Sequence, residues 1–290
     1  MRQERIAVLG GDRREAEAAV TLAERGLAVT TFGVAWIRRS PLDRPSLLEA
    51  LEGADAVVGP ALGCLDQGLY RQSPTPPLAI PPEAFARTRP GAPWCIGRAR
   101  SWLREACDRA GAPLLEYGGL DAYQRANAIP TAEGAIAEGS RLGGRTAWGS
   151  VALVVGSGRC GQAIAHRLHA LGARVTVAAR RHPDPEPGIG RAGLEDIPAF
   201  ARQCDLLFNT VPAPIITQRT LAETPRRVVI VDIATAPGGV DFAAAEALDR
   251  TAVLLPGIPG RCFPLTAGRI VAETVLSALG WTANGPKEGV

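Results

Sequence analysis

Apolar and polar positions along this chain fall into two successive strand-and-helix patterns. The first opens with Ile6–Leu9, an unbroken apolar run of the kind found in strands buried on both faces. Gly10-Gly11-Asp12 follow as a turn ending in a helix N-cap. Ala16, Ala19, Val20 and Ala23 then recur at helical spacing, and Leu27–Phe32 return to strand character. GADAVVGP (53–60) predicts a third strand, RSWLREACDRAG (100–111) an amphipathic helix and PLLEY (113–117) a short strand. Residues 73–93, SPTPPLAIPPEAFARTRPGAP, are too polar and too broken for a core element and read as a loop.

The second pattern begins at Val151. Strands are predicted at 151–155, 174–179, 205–209, 228–233 and 252–257, with 182–193 as a loop. Val- and Ile-rich runs separated by helices imply a parallel sheet covered on both faces. IPTAEGAIAEGSR (129–141) reads as a joining helix, with Pro130 and then Thr131 as its N-cap. RIVAETVLSALG (269–280) is an amphipathic helix whose place after the last strand predicts a return to the first domain; WTANGPKEGV reads as a frayed tail. The expected fold is α/β: two Rossmann-like or flavodoxin-like parallel-sheet domains with an interdomain cleft. Residues 1–130 with 266–290 form the first domain and 131–265 the second.

Composition narrows the function classes. Apolar residues make up 46% of the 290 and charged residues 21%, as in a globular protein with a substantial core. The net charge of +3 comes without a long basic run, which argues against nucleic acid as partner. No apolar run spans a bilayer and no signal region is evident, so a cytoplasmic location without membrane contact is expected. Six scattered cysteines (64, 95, 107, 160, 204 and 262) fit reduced, mostly buried thiols and no metal spacing. Lys287 is the single lysine, so any clamp on an anion must be arginine.

The clearest chemistry lies at Gly156-Ser157-Gly158-Arg159-Cys160-Gly161. This G-x-G-x-x-G follows an apolar strand and opens a helix within a strand–helix–strand unit of about thirty residues, the context of a dinucleotide site. The glycines permit a tight turn, close approach of the pyrophosphate, and close packing of helix on strand. Such units commonly place Asp or Glu at the end of the second strand to hold a ribose hydroxyl. Here Ala179 stands there, followed by Arg180, Arg181 and His182. Removing the acid and adding two arginines favours a 2′-phosphate, hence NADP over NAD. Asn209, Thr210, Val211 and Pro212 end one later strand and Asp232 another, so both turns are expected to flank the nicotinamide, with loop capping as the other role for Asn209 and Asp232. None of the three histidines (166, 169 and 182) lies where a 2-hydroxy-acid dehydrogenase places its base.

The stretches GGDRR (10–14), AIPTAEGAI (128–136), VVGSGRCGQAIA (154–165), NTVP (209–212), DIATAPGGVDF (232–242) and PGIPGRCFPLTAGRI (256–270) stand in the order found in the A subunit of dipicolinate synthase, and the chain resembles that family from about Ile6 to Leu279. The resemblance implies a two-domain NADP-dependent dehydrogenase. With a flavoprotein-like B subunit, it would oxidise a dihydrodipicolinate to pyridine-2,6-dicarboxylate during spore formation. For a small dicarboxylate substrate, Thr131, Glu133, Arg261 and Thr266 are the candidate contacts, and Glu133 is the candidate proton acceptor. Leu265 replaces a lysine expected before T-A-G in some members. Two other readings stay open: an NADP-dependent dehydrogenase of small 2-hydroxy or amino acids, and a non-catalytic regulatory protein that binds NADP. Homo-oligomerisation stays open as well.

Overall fold

Apolar runs form strands and amphipathic runs form helices in two compact units of this computed structural model, which describes residues 3–35, 41–182, 185–282 and 285–286. Lys287 and the end of the tail lie outside the described residues, as do positions 183 and 184 of the predicted 182–193 loop.

The first unit comprises Met1–Asn127 and Pro259–Val290. Strands β1 (Arg5–Leu9), β2 (Ala28–Phe32) and β3 (Ala56–Val58) are followed by a small antiparallel pair, β4 (Leu69–Tyr70) and β5 (Leu78–Ala79). Strands β6 (Trp94–Ile96) and β7 (Leu114–Glu116) complete a parallel sheet of order β2-β1-β3-β6-β7. One face carries helix α1 (Arg13–Glu24); the other packs on α2 (Leu47–Leu51), α3 (Ser101–Ala110) and a 3-10 turn at Pro82–Arg87. That turn and β5 lie in the stretch that reads as loop, and β6 has no strong sequence signal.

Helix α4 (Asp121–Gly143) corrects the predicted joining helix. It starts eight residues before Ile129 and passes through Pro130 without ending. Proline removes the N–H that would meet the Ala126 carbonyl, a cost of roughly 3 kcal/mol. Packing on both sides offsets it: Tyr123 is buried in the first unit's core, while Ala132, Ala135 and Ile136 are buried in the second's.

The second unit is Ala128–Ile258. Its strands are β8 (Val151–Val155), β9 (Arg174–Ala178), β10 (Ile189–Ala192), β11 (Leu206–Asn209), β12 (Val229–Asp232) and β13 (Thr251–Leu254). They form one parallel sheet of order β10-β9-β8-β11-β12-β13. Helices α5 (Arg159–Ala170), α6 (Ile197–Ala201), α7 (Gln218–Glu223) and α8 (Phe242–Ala247) connect the strands, and separate apolar clusters fill the two faces of the sheet. This is the doubly wound order, with its switch point between β8 and β11. Strand β10 falls in the segment predicted as loop.

After α9 (Ile258–Cys262), α10 (Pro264–Ala278) packs on α1 and buries Val271, Ala272, Val275 and Leu276 in the first unit's core. A Cβ on Gly268 would stand 2.5 Å from the Glu17 Cβ and 2.7 Å from the Ala18 nitrogen, so the two helices touch backbone to backbone there. No helix among the described residues is long and apolar enough to cross a membrane.

Candidate functional site

The carboxyl end of β8 turns sharply at Gly156, whose φ of +105° suits glycine. A Cβ there would meet the Thr210 hydroxyl at 2.2 Å, and one on Gly161 would meet the Gly156 carbonyl at 2.0 Å. Gly158 differs: nothing lies within 4 Å of its Cβ position, so one side of the turn is open. Gly158 caps α5 without a side-chain acceptor, leaving first-turn N–H groups of a twelve-residue helix for a ligand. An open glycine turn at an unfilled helix N-terminus is a cradle for a pyrophosphate, and these residues fit a nicotinamide dinucleotide. Arg159 opens that helix. Cys160 is half-buried; burial pushes its thiol up, which disfavours the nucleophilic thiolate.

The end of β9 is held tightly. The Gly156 N–H donates to the Ala178 carbonyl at 2.9 Å, and the Ala179 N–H to the Ala192 carbonyl at 3.1 Å. Ala179 is buried; Arg180 and Arg181 beyond it are exposed. The Ser157 hydroxyl donates to the Arg181 carbonyl at 2.5 Å. Glycine turn and arginine turn therefore meet, as a single cofactor site built from both requires.

Asn209 and Asp232 are adjacent in register on β11 and β12 and fully buried. Asn209 Nδ2 donates to Asp232 Oδ1 at 2.9 Å and to the Val211 carbonyl at 3.0 Å. Asp232 also accepts the N–H groups of Ala234 at 2.9 Å and Gly239 at 2.7 Å. The Val211 N–H donates to Asn209 Oδ1 at 3.1 Å, and the Thr210 hydroxyl to the Val155 carbonyl at 2.9 Å. Gly239 is required here because a Cβ would meet the Ala213 and Val211 carbonyls at 2.4 and 2.5 Å. These side chains shape the two loops beyond the strands; Pro212 is exposed on the first of them.

The substrate candidates are divided between the units. Thr131 lies inside α4 and is buried, so no helix N-terminus exists there to meet a carboxylate; the N-cap reading is corrected because the helix runs through Pro130. Glu133 is exposed, and its carboxylate accepts from Arg167 Nε on α5 at 3.1 Å. Arg261 is exposed on α9 and Thr266 is half-buried in the first turn of α10, both in the first unit.

Sequence reasoning missed a buried charged cluster at the carboxyl end of β1. Asp12 caps α1 and takes a two-pronged bond from Arg14, with Nε at 3.0 Å and Nη2 at 2.8 Å. Burial opposes the Asp12 charge, but Arg14 holds its carboxyl below the usual range. Glu15 completes the capping box by accepting the Asp12 N–H at 2.6 Å, and also accepts the Ala61 N–H at 2.8 Å. Burial first, then the neighbouring Asp12 charge, push Glu15 up to about 7. The capping-box spacing Asp12-x-x-Glu15 was the available signal.

Comparison with known proteins accounts for both units. Residues 5–118 match the family model described as the N-terminal domain of the dipicolinate synthase A subunit. Residues 120–254 match that described as D-isomer specific 2-hydroxyacid dehydrogenase, NAD binding domain. The dipicolinate synthase A subunit of Bacillus subtilis (strain 168) is 29% identical over 287 residues, covering 95% of each chain. The crystal structure of the dipicolinate synthase A subunit from Bacillus halodurans superposes with a TM-score of 0.80 at 26% identity, covering 95% of this chain and 97% of that one. Over nearly its whole length the chain is similar to dipicolinate synthase A subunits. The corresponding chain of Bacillus subtilis dipicolinate synthase gives the same TM-score and identity over 97% of both chains. The chain joins a segment matching the dipicolinate synthase A N-terminal domain to a nicotinamide-dinucleotide-binding unit, and it is an NAD(P)-dependent oxidoreductase.

Proposed function

We propose that the chain oxidises dihydrodipicolinate to pyridine-2,6-dicarboxylate with NADP, acting with a flavoprotein-like B subunit. The observation that carries this reading is the match to dipicolinate synthase A subunits across 95% of the chain. The choice of NADP is supported by buried Ala179 followed by exposed Arg180 and Arg181. An acid at position 179 would repel a 2′-phosphate, whereas each guanidinium can give it charge-assisted hydrogen bonds.

When bound, the nicotinamide supplies the acceptor for the hydride that leaves the dihydropyridine ring, and a ring proton is lost as aromaticity forms. The α5 N-terminus and the open side of Gly158 hold the pyrophosphate. Arg180 and Arg181 hold the 2′-phosphate. The loops shaped by Asn209 and Asp232, including Thr210 and Val211, bound the nicotinamide end. Because aromatisation drives the reaction, the protein has mainly to position the ring and accept one proton. Glu133 is the proposed acceptor, and Arg261 with Thr266 the proposed carboxylate contacts.

The test supplies freshly made dihydrodipicolinate and NADP to the chain together with its flavoprotein-like partner and follows pyridine-dicarboxylate absorbance. Turnover with NADP well above that with NAD is expected. Arg261→Ala should lower kcat/KM roughly ten-fold while NADP affinity holds. Absence of turnover by the wild-type pair would overturn the reading; an unchanged kcat/KM would remove Arg261 from it.

A further inference from the structure

Ser157 occupies the first variable position of the glycine turn, close to where the cofactor's phosphates would lie. Its one hydroxyl proton is already committed: Oγ donates to the Arg181 carbonyl. Ser157 is itself held, because Gln162 Nε2 donates to its carbonyl at 2.7 Å. The arginine turn has two further anchors on the edge strand β10. The Ala179 N–H bonds the Ala192 carbonyl at 3.1 Å, and His182 Nε2 lies 2.9 Å from the same oxygen. Both arginines thus project from a backbone fixed at three points. A pre-fixed backbone spares part of the ordering cost when two long side chains close on an anion.

We propose that Ser157 is a positioning residue for dinucleotide choice: through the Arg181 carbonyl it fixes the turn from which Arg180 and Arg181 meet a 2′-phosphate. This rests on the NADP reading above. Ser157 is assigned no contact with the cofactor by this route, and its effect appears only with the nucleotide that carries the extra phosphate. Since NAD lacks that phosphate, it is indifferent to where the guanidinium groups stand. His182 acts in the same direction from the other side of the turn.

The experiment titrates NADP and NAD into wild type, Ser157→Ala, Ser157→Thr and His182→Ala by calorimetry, with circular dichroism as a check on folding. One lost hydrogen bond corresponds to roughly a three- to ten-fold weakening. Ser157→Ala should lose that much NADP affinity while NAD affinity stays within about two-fold. His182→Ala should follow the same pattern, and Ser157→Thr, which keeps the hydroxyl, should retain the wild-type ratio. Equal losses for both nucleotides in Ser157→Ala would overturn the proposal, because the hydroxyl would then serve a phosphate common to both or the glycine turn itself. Unchanged NADP affinity would overturn it too. Equal affinities in wild type would instead remove the NADP reading, and the proposal with it.

Discussion

Asp232 serves three donors from a fully buried position: Asn209 Nδ2 and the N–H groups of Ala234 and Gly239. Asp232→Ala leaves the Ala234 and Gly239 N–H groups and one of the two Asn209 Nδ2 hydrogens without their acceptor, and buried donors without partners are costly. A loss of about 3 kcal/mol in unfolding free energy is expected, read from urea denaturation. Glu15 makes a prediction about pH. Folded, it keeps its proton to about 7; unfolded, it titrates near its ordinary 4.5. The folded state therefore binds more protons in that window, and stability falls as pH rises through it. Glu15→Gln removes this titration. Urea midpoints should show wild type losing ground relative to the variant between about pH 5 and about pH 8. At this scale the glycine turn opening a helix, and the place of Ala179, Arg180 and Arg181 at the end of the next strand, were legible because both are set by local sequence. The strand-end position of Asp232 was visible, but its use as a loop clamp was not. The Glu15–Ala61 bond spans 46 residues and exists only because β3 lies beside β1.

Helices α1 and α10 approach so closely at Gly268 that an added methyl meets the Ala18 nitrogen and the Arg14 carbonyl, each at 2.7 Å. Helix propensity alone favours alanine there by about 1 kcal/mol. Gly268→Ala should nevertheless destabilise the protein by about 2 kcal/mol, since backbone cannot step aside as a side chain can. A thermal midpoint higher than wild type would show that the helices can separate cheaply. Elements with long apolar runs were legible; those defined by their neighbours were not. Strand β10 has exposed Gly190 and Arg191 and exists by pairing with β9 alone. Strand β6 is three residues long between Pro93 and Gly97. Pro130 gave a strong helix-start signal that failed because burial on each side outweighs one missing hydrogen bond.

At the scale of the whole molecule, a C-terminal segment completes a core begun by residues 5–9. Val271, Ala272, Val275 and Leu276 belong to the same cluster as Ile6, Val8 and Leu22. Ending the chain after Phe263 removes those side chains and exposes the face of α1 that they cover. Amide hydrogen exchange should then lose protection in β1, β2 and β3; retained protection would mean that the first unit stands without α10. The α/β class and the returning helix were legible from element order, because strand–helix alternation and handed crossovers leave few topologies.

The same return of the chain has a consequence for biosynthesis. On the ribosome, the β1–β3 segment emerges long before α10, and at about 5–20 residues per second the delay is on the order of ten seconds or more. The Rossmann unit, continuous from Ala128 to Ile258, has all its own residues before the earlier unit has its last helix. Order of completion thus inverts order of synthesis. Until α10 emerges, the part of α1 that it covers has no partner, leaving the nascent N-terminal unit with exposed apolar surface of the kind chaperones bind.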